Sequence, residues 1–245
     1  PSVKKRLLRR IVSFLYRISL AKADKVVFLN PDDIKDFDRW GIVAKEKAFE
    51  LGGIGVDLDE WRYSVRDDGP MLFLFMGRLL AEKGIHDFIA AARIVKAKFP
   101  ATHFVVLGDV DSNPGGISKT QMMSWVDEGL IVWPGHVSVE PWLRRCGAFV
   151  LPSYREGVPR STQEAMALGR PVITTDAPGC RQTVDDGVNG FLVPVRNPSA
   201  LAEAMCKFID NPALVSETGR QSRRLAEERF DVHKVNQKLL EILGF

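Results

Sequence analysis

Two glutamates with seven residues between them, Glu156 and Glu164, are the side chains whose spacing most suggests chemistry. Ionised carboxylates only accept hydrogen bonds, so they suit the hydroxyl groups of a sugar or a ribose. A helix that begins at Pro159 would rise roughly 8 Å by Glu164, at about 1.5 Å per residue. A nucleotide-sugar, with hydroxyl groups on both sides of a diphosphate, matches this layout. The alternative is a solvated loop glutamate and a charge on a helix surface.

The residues around the two glutamates predict a strand, a loop and the start of a helix. The apolar run 148–151 indicates a buried strand. Pro159 suits the first turn of a helix because it lacks an N–H group, and Gly169 is typical of a helix end. The free N–H groups and positive dipole end of such a helix favour an anion, for example a phosphate.

Arg78 and Lys83 lie on a second loop, which follows the apolar run 71–76. A guanidinium group and an ammonium group are suited to a diphosphate that no metal neutralises. During a transfer reaction they would stabilise the charge that develops on a leaving diphosphate. The alternative is two solvated loop cations. It is disfavoured because this loop is expected at the same sheet edge as the helix start that favours an anion.

Three further positions are candidates for substrate binding. Gly108 follows a predicted strand and would let a ligand approach the backbone closely. His136 lies on a loop where a base could stack, with a purely structural histidine as the alternative. Thr162 either adds a hydrogen bond to the ligand or caps the helix.

Composition limits the classes of protein that need to be considered. The chain has 245 residues, is 45% hydrophobic and 27% charged, and carries a net charge of +3, so it resembles a globular protein and gives no reason to expect nucleic acid. Three dispersed cysteines argue for a reducing compartment without disulfides. Four scattered histidines offer no metal-ligand spacing, so we expect neither metal nor cofactor.

The sequence predicts a cytoplasmic protein. We find no secretory signal and no apolar run near the roughly 18 residues of a membrane span. Residues 3–22 predict a basic amphipathic helix, which has two interpretations. It either contacts an anionic membrane surface at the inner face of the membrane, or packs its apolar stripe against the rest of a domain.

From residue 71 onward, short apolar runs alternate with helical patterns. This predicts an α/β fold with a Rossmann-like parallel sheet and helices on both faces. Ligands bind such sheets beyond the carboxyl ends of the strands, where the loops described above are expected. Polar and glycine-rich segments suggest a domain boundary between 52 and 70. The predicted strands are 71–76, 103–107, 130–133, 148–151, 172–175 and 190–193.

With these residues in place, the chain resembles the retaining glycosyltransferases of family 4, which have the two-domain GT-B architecture. The resemblance covers about residues 24–230 and is strongest to bacterial enzymes that build surface polysaccharides from UDP-sugars on a lipid carrier. Glu156 and Glu164 match the two glutamates of the family signature. The motifs that carry the resemblance are 75–84, 106–109, 150–153, 156–159, 164–172 and 186–193.

The resemblance implies roles for the predicted site residues. Arg78 and Lys83 would hold the donor diphosphate, and Glu156 would contact the donor sugar. These three form the predicted catalytic group. Glu164 would hold the ribose hydroxyl groups. The resemblance also implies that donor binding needs no metal ion. Transfer would occur with retention, the leaving diphosphate helping to deprotonate the acceptor. The backbone amides that would approach sugar and phosphate are those around Gly157, Val158 and Pro159.

The resemblance also implies a division into domains. Residues 1–55 would be the remnant of an amino-terminal acceptor domain and linker, and here Leu29-Asn30 replaces the Val-Ser of the family. Residues 56–230 would be the nucleotide-sugar domain, the C-terminal half of a GT-B fold, and 231–245 a C-terminal helix. Because most of the acceptor domain would be missing, we expect weak donor binding and no transfer to a glycan or lipid-linked acceptor.

Other functions remain open at this stage. The first alternative is a non-catalytic nucleotide-sugar binding module. An NAD-dependent oxidoreductase is disfavoured, because the glycines at 52–55 lack both a third glycine at the required spacing and a following helix. A GT-B epimerase or phosphorylase is a minor alternative, and nothing indicates a lysine that binds pyridoxal phosphate.

Overall fold

The computed structural model describes residues 3–66, 69–111, 113 and 115–245. This part of the chain contains a two-stranded and a six-stranded sheet. The strands are β1 (Val26–Phe28), β2 (Ala48–Glu50), β3 (Leu72–Met76), β4 (His103–Leu107), β5 (Val132–Gly135), β6 (Ala148–Leu151), β7 (Val172–Thr175) and β8 (Gly190–Val193). The helices are α1 (Val3–Leu20), α2 (Pro31–Arg39), α3 (Ile85–Lys98), α4 (Lys119–Asp127), α5 (Glu140–Arg145), α6 (Arg160–Ala167), α7 (Pro198–Asp210), α8 (Ala213–Arg229) and α9 (Val232–Leu243).

The six-stranded sheet has the order β5-β4-β3-β6-β7-β8, and all neighbouring strands are parallel. This confirms the predicted α/β fold class. The chain order reverses between β3 and β6, which therefore lie side by side although they are far apart in sequence. In doubly wound sheets, ligands bind in the crevice at this reversal, beyond the carboxyl ends of the strands.

The main core lies on both sides of the central strands β3 and β6. Phe73, Leu74, Phe149 and Val150 are fully buried, which explains why these strands are continuous apolar runs. Phe73 stacks on Phe104 of β4, with ring centroids 5.5 Å apart. Burying each such aromatic side chain contributes about 1.5–3 kcal/mol, so the strands that lead to the candidate loops are held rigidly.

The fifth strand lies two residues further along the chain than predicted. The sequence predicted 130–133, whereas β5 covers Val132–Gly135. The amides of Leu130 and Ile131 both donate to the carbonyl of Trp125 at the end of α4, so these residues close the helix instead of joining the sheet. The prediction was wrong here because Leu130 and Ile131 are buried in the turn after α4. Their apolar character therefore does not indicate a strand. His136 consequently follows directly on the end of β5.

The first fifty residues form a smaller unit with its own apolar cluster. Strands β1 and β2 pair in parallel, an arrangement that the sequence did not predict. Phe28, Ile42 and Val43 form the small core beside this pair. Val56 belongs to the main core and pairs with Asp231 at the start of the last helix. The domain boundaries after residues 55 and 230 stay predictions.

The basic helix α1 ends at Leu20, two residues earlier than predicted. Arg17 anchors it to the rest of the chain by donating to the carbonyls of Gly41, at 2.9 Å, and Trp40. Among the described residues, no helix combines the length and apolar character needed to cross a membrane. Contact with a membrane surface and packing against a domain both stay predictions. Exposed apolar side chains of α1 include Leu7, Leu8, Ile11, Val12, Phe14, Leu15, Tyr16 and Ile18.

Candidate functional site

The loops after β3 and β6 are in direct backbone contact at the reversal point of the sheet. The amide of Tyr154 donates to the carbonyl of Glu82 at 2.9 Å. Gly84 adopts a left-handed conformation with φ +78°, and a Cβ atom there would lie 2.0 Å from the Pro152 carbonyl oxygen. Only glycine combines this dihedral angle with this approach. The contact fixes the position of Lys83, which precedes the glycine.

Lys83 and Glu156, predicted to bind different parts of a ligand, form an ion pair with each other. The Lys83 Nζ atom lies 2.6 and 2.7 Å from the two carboxylate oxygens of Glu156. Only 19% of the Lys83 side chain and 11% of the Glu156 side chain are exposed. Charge-assisted hydrogen bonds in such shielded surroundings are stronger than those at the surface. An anionic ligand that binds Lys83 must therefore compete with Glu156.

Helix α6 begins one residue later than predicted. Pro159 precedes it in an extended conformation, with φ −67° and ψ 128°, because the first helical residue is Arg160. None of the described side chains caps this helix start. The first-turn N–H groups of a helix have no partner within the helix, so they can bind an anion. The predicted strand, loop and helix start are thus present, and α6 follows Glu156 closely.

The side chains of Thr162 and Gln163 serve the loop itself. Both are fully buried. The Thr162 hydroxyl donates to the Pro159 carbonyl at 2.6 Å, so it caps none of the free N–H groups of the helix. The Gln163 side chain accepts from the amide of Gly55 at 3.0 Å and donates to the carbonyl of Val158 at 3.2 Å. A direct contact between Thr162 and a ligand is therefore not favoured by its side-chain geometry.

Glu164 lies on α6 with 13% of its side chain exposed, and it pairs with the Nε atom of Arg160 at 3.0 Å. Burial raises the pKa of Glu164 above its ordinary value of 4.5, and the charge and hydrogen bond of Arg160 oppose this shift. Desolvation disfavours the charged form, which explains the direction. A hydroxyl group that donates to this carboxylate would relieve part of that cost.

This raised pKa has a measurable consequence for stability. Folding favours the protonated form of Glu164, so its stabilising contribution is present below pH 4.5 and is lost as the pH rises through the folded-state pKa. We expect the free energy of unfolding of the wild type, relative to Glu164→Gln, to fall as the pH rises above the ordinary glutamate pKa of 4.5. Urea denaturation at several pH values measures this difference. A difference that stays constant would contradict it, and Glu203→Gln, at an exposed position of α7, is the control.

A second group of predicted residues lines a cleft at the ends of β3, β4 and β5. Arg78, Gly108 and His136 all contribute to this cleft, whose volume of about 460 Å³ lies within the range of small-molecule sites. The Arg78 side chain is 63% exposed and lies 3.9 Å from Asp111. Other lining residues are Met76, Gly77, Leu107, Asp109, Val110, Val137 and Val139.

Gly108 has a structural reason to be glycine. It adopts φ +139°, and a Cβ atom there would lie 2.1 Å from the carbonyl oxygen of Gly77. The Trp133 indole donates to the Gly108 carbonyl at 2.9 Å. The group that approaches Gly108 closely in this structure is therefore the Gly77 carbonyl of the loop after β3, where the sequence predicted a ligand. Trp133 fixes this floor of the cleft from β5.

Sequence reasoning missed Asn30, which is fully buried beside Glu156. Its amide nitrogen donates to the carbonyl of Gly157 at 2.7 Å. An asparagine followed by Pro31 is a recognisable helix N-cap, and Asn30 indeed caps α2. That local signal does not reveal a contact with a residue more than a hundred positions away.

Residues 70–211 match the sequence family described as glycosyl transferases group 1. The chain belongs to this family. It is 25% identical over 98% of its length to N,N'-diacetylbacillosaminyl-diphospho-undecaprenol alpha-1,3-N-acetylgalactosaminyltransferase of Campylobacter jejuni, of which it covers 65%. It is 30% identical over 78% of its length to the putative colanic acid biosynthesis glycosyltransferase WcaL of Salmonella typhimurium, of which it covers 49%.

Solved structures share the fold of this chain. Sucrose-phosphate synthase from Thermosynechococcus elongatus superposes with a TM-score of 0.82 at 23% identity, covering 94% of this chain and 60% of that protein. Anabaena Alr3699/HepE in complex with UDP gives 0.83 at 21% identity, covering 95% and 68%. These neighbours show that the fold is that of GT-B glycosyltransferases. The chain spans about half to two thirds of the length of these relatives.

Proposed function

We propose that this chain is the donor-binding part of a retaining group 1 glycosyltransferase. It would transfer a sugar from a nucleotide diphosphate-sugar, most simply a UDP-sugar, to a glycan or lipid-linked acceptor of a bacterial surface polysaccharide. The observation that carries the proposal is the shielded Lys83–Glu156 pair beside the uncapped start of α6, at the reversal point of the sheet. The polysaccharide-synthesis relatives and the UDP complex of a structural neighbour support it.

The diphosphate would be held at the start of α6. Lys83 would exchange its bond with Glu156 for a phosphate oxygen, and the first-turn amides of the helix would donate from the other side. Arg78, on the same loop as Lys83 and largely exposed, would leave Asp111, 3.9 Å away, to turn towards the phosphates. Two cations and a helix dipole then balance the charge of the diphosphate, and the proposal assigns no metal. Among the described residues, no cluster of His, Cys, Asp and Glu suited to a metal ion is found.

The two glutamates would bind the hydroxyl-bearing parts of the donor. Glu156, released by Lys83, would accept hydrogen bonds from the donor sugar, and Glu164 would accept them from the ribose. The base would enter the cleft that contains Gly108 and His136. The backbone amides around Gly157, Val158 and Pro159 lie between Glu156 and Glu164 in the sequence and would approach the sugar and the phosphate.

The proposed reaction is a sugar transfer with retention. The bond between the anomeric carbon and the diphosphate oxygen breaks, and its electron pair stays on the diphosphate. The acceptor hydroxyl oxygen forms the new bond on the same face of the sugar, and its proton passes to the leaving diphosphate. Lys83, Arg78 and the start of α6 stabilise the charge that develops on the leaving group. The expectation that these 245 residues alone transfer no sugar stays a prediction, as does the cytoplasmic location.

Glu156→Gln should have opposite effects on two classes of ligand. Without the carboxylate, Lys83 has no anionic competitor, so we expect UDP to bind about three- to tenfold more tightly. The additional affinity that the best of a panel of UDP-sugars shows over UDP should be lost, because Glu156 no longer holds the sugar. Calorimetric titration of wild type and variant measures both effects, with Glu203→Gln as the control. Weaker binding of UDP by Glu156→Gln would contradict the proposed arrangement.

The comparisons give no support to the alternative of a non-catalytic binding module. Titration does not distinguish the enzyme from the binding module, since each predicts donor binding. A transfer assay on the 245 residues joined to an acceptor domain separates them, because only the enzyme yields a glycosylated acceptor.

A further inference from the structure

The start of α2 is bonded to the loop that carries Glu156. Asn30, at the N-cap of this helix, uses both polar atoms of its side chain. Its oxygen accepts from the amide of Asp33 at 2.9 Å, and its nitrogen donates to the carbonyl of Gly157 at 2.7 Å. Both bonds are shielded from water because Asn30 is fully buried. Asn30 thus joins the helix cap to the residue directly after Glu156.

The residue directly before Glu156 is held by the same helix. The guanidinium group of Arg155 contacts the carboxylate of Asp33 and lies 2.8 Å from that of Asp36. Glu156 is therefore bracketed by two residues that both bind the first two turns of α2. Asp33 takes part both in the ion pair with Arg155 and in the hydrogen bond with Asn30, so the two contacts support each other.

A second loop completes the enclosure of Glu156. The amide of Glu156 donates to the carbonyl of Pro178 at 2.9 Å. A Cβ atom on Gly179 would lie 2.1 Å from the Glu156 carbonyl oxygen, so the two loops are packed backbone to backbone. Arg181 ties this loop to α2, with its Nη1 atom 2.6 Å from Asp32. The second loop that encloses Glu156 thus also leads back to the start of α2.

We infer that Asn30 is a positioning residue for Glu156. Together with Arg155, Arg181 and the acidic first turns of α2 it forms a clamp, which holds the Glu156 carboxylate against Lys83 and towards the donor sugar. The inference rests on the proposed function, which gives Glu156 its role in donor binding. A shift of α2 relative to the six-stranded sheet would move Glu156 with it.

Asn30 is the member of the clamp with the largest expected effect. The Arg155 side chain is 49% exposed, and half-exposed ion pairs contribute little individually. The bonds of Asn30 are buried, where removing one partner leaves the other group unsatisfied. The Gly157 carbonyl would lose its side-chain donor if Asn30 were shortened.

Two substitutions separate the positioning role from the helix cap. Asn30→Ser keeps an oxygen that caps α2 but removes the nitrogen, which donates to the Gly157 carbonyl at 2.7 Å and to the Asp33 carboxylate at 2.8 Å. Asn30→Ala removes both. Asn197 offers a control, because its side chain caps α7 by accepting from Ala200 at 3.0 Å and, among the described residues, makes no hydrogen bond to the loop of Glu156. Asn197→Ser therefore repeats the chemical change at a cap without the loop contact.

The first measurement is hydrogen exchange of segment 154–158 in the ligand-free chain. Asn30→Ser should speed exchange in this segment by about three- to tenfold, whereas Asn197→Ser should leave it unchanged. Exchange that is equal in the two variants would overturn the inference. If Asn30→Ser does not fold, Arg155→Gln tests the same segment from the surface, with a smaller increase expected and an unchanged rate contradicting the clamp.

The second measurement is titration of the same variants with UDP and a panel of UDP-sugars. We expect Asn30→Ser to reduce the advantage of the best UDP-sugar over UDP by about three- to tenfold and to leave UDP itself within about twofold. Faster exchange without any loss for UDP-sugars would overturn the positioning role. Failure of the wild type to bind any of these ligands would refute the proposed function, while the exchange data would still decide whether the clamp exists.

Discussion

Replacing Lys83 by alanine should weaken UDP binding by roughly ten- to a hundredfold, the effect of losing one charge-assisted hydrogen bond. Lys83 bonds Glu156, which shortly precedes the uncapped start of α6, and it lies on a loop fixed by its contact with the loop after β6. The remaining cation on this loop, Arg78, is far more exposed and should not compensate fully. Calorimetric titration with UDP measures the change.

Two further variants make the Lys83 result specific. Lys83→Met keeps much of the length of the side chain without its charge, so it should lose as much affinity as Lys83→Ala. Lys98→Ala removes an exposed lysine at the far end of α3 and should bind UDP as the wild type does. Affinity within about twofold of the wild type in both Lys83 variants would contradict the assigned role, since such a change is below the worth of one hydrogen bond.

Gly84→Ala should lower the free energy of unfolding by about 3 kcal/mol or more, because it combines strain with a backbone clash. The residue has φ +78°, which costs any L side chain energy, and the new Cβ atom would lie 2.0 Å from the Pro152 carbonyl oxygen. A carbonyl group of the main chain cannot move aside as the tip of a side chain can. Urea denaturation of the variant measures the loss.

Gly129 provides the matched control for this substitution. It has φ +66°, and a Cβ atom there would meet nothing within 4 Å. Gly129→Ala should therefore show the conformational cost alone, about 1–2 kcal/mol. The difference between the two variants measures the contact between the loops after β3 and β6. Equal losses of stability would mean that this contact does not constrain the candidate site.

Much of the fold could be predicted because its strands are buried on both faces. Short runs such as 148–151 and 172–175, which lack charged residues, are typical of strands covered on both sides, and they became β6 and β7 with unchanged bounds. The fifth strand was misplaced because Leu130 and Ile131 are as apolar as strand residues. Their hydrogen bonds to Trp125 decide their structure, and apolar character does not report hydrogen bonds.

The sequence named the candidate site residues one by one, and their roles stay predictions, but it did not indicate the contacts among them. The loops of Lys83 and Glu156 followed from two strand ends, yet the ion pair between them depends on β3 lying next to β6. Strand order is a property of the whole sheet that local periodicity does not contain. The same reason hid the contact between Asn30 and Gly157, which joins the small amino-terminal unit to the main sheet.

The most direct test of the proposed donor site is the structure of the chain with UDP bound. We expect a phosphate oxygen within about 3 Å of the Lys83 Nζ atom, another near the first-turn amides of α6, and the base in the cleft with Gly108 and His136. The bond between Lys83 and Glu156 should be broken or lengthened. UDP bound elsewhere, with Lys83 still on both oxygens of Glu156 and no phosphate at α6, would contradict the account.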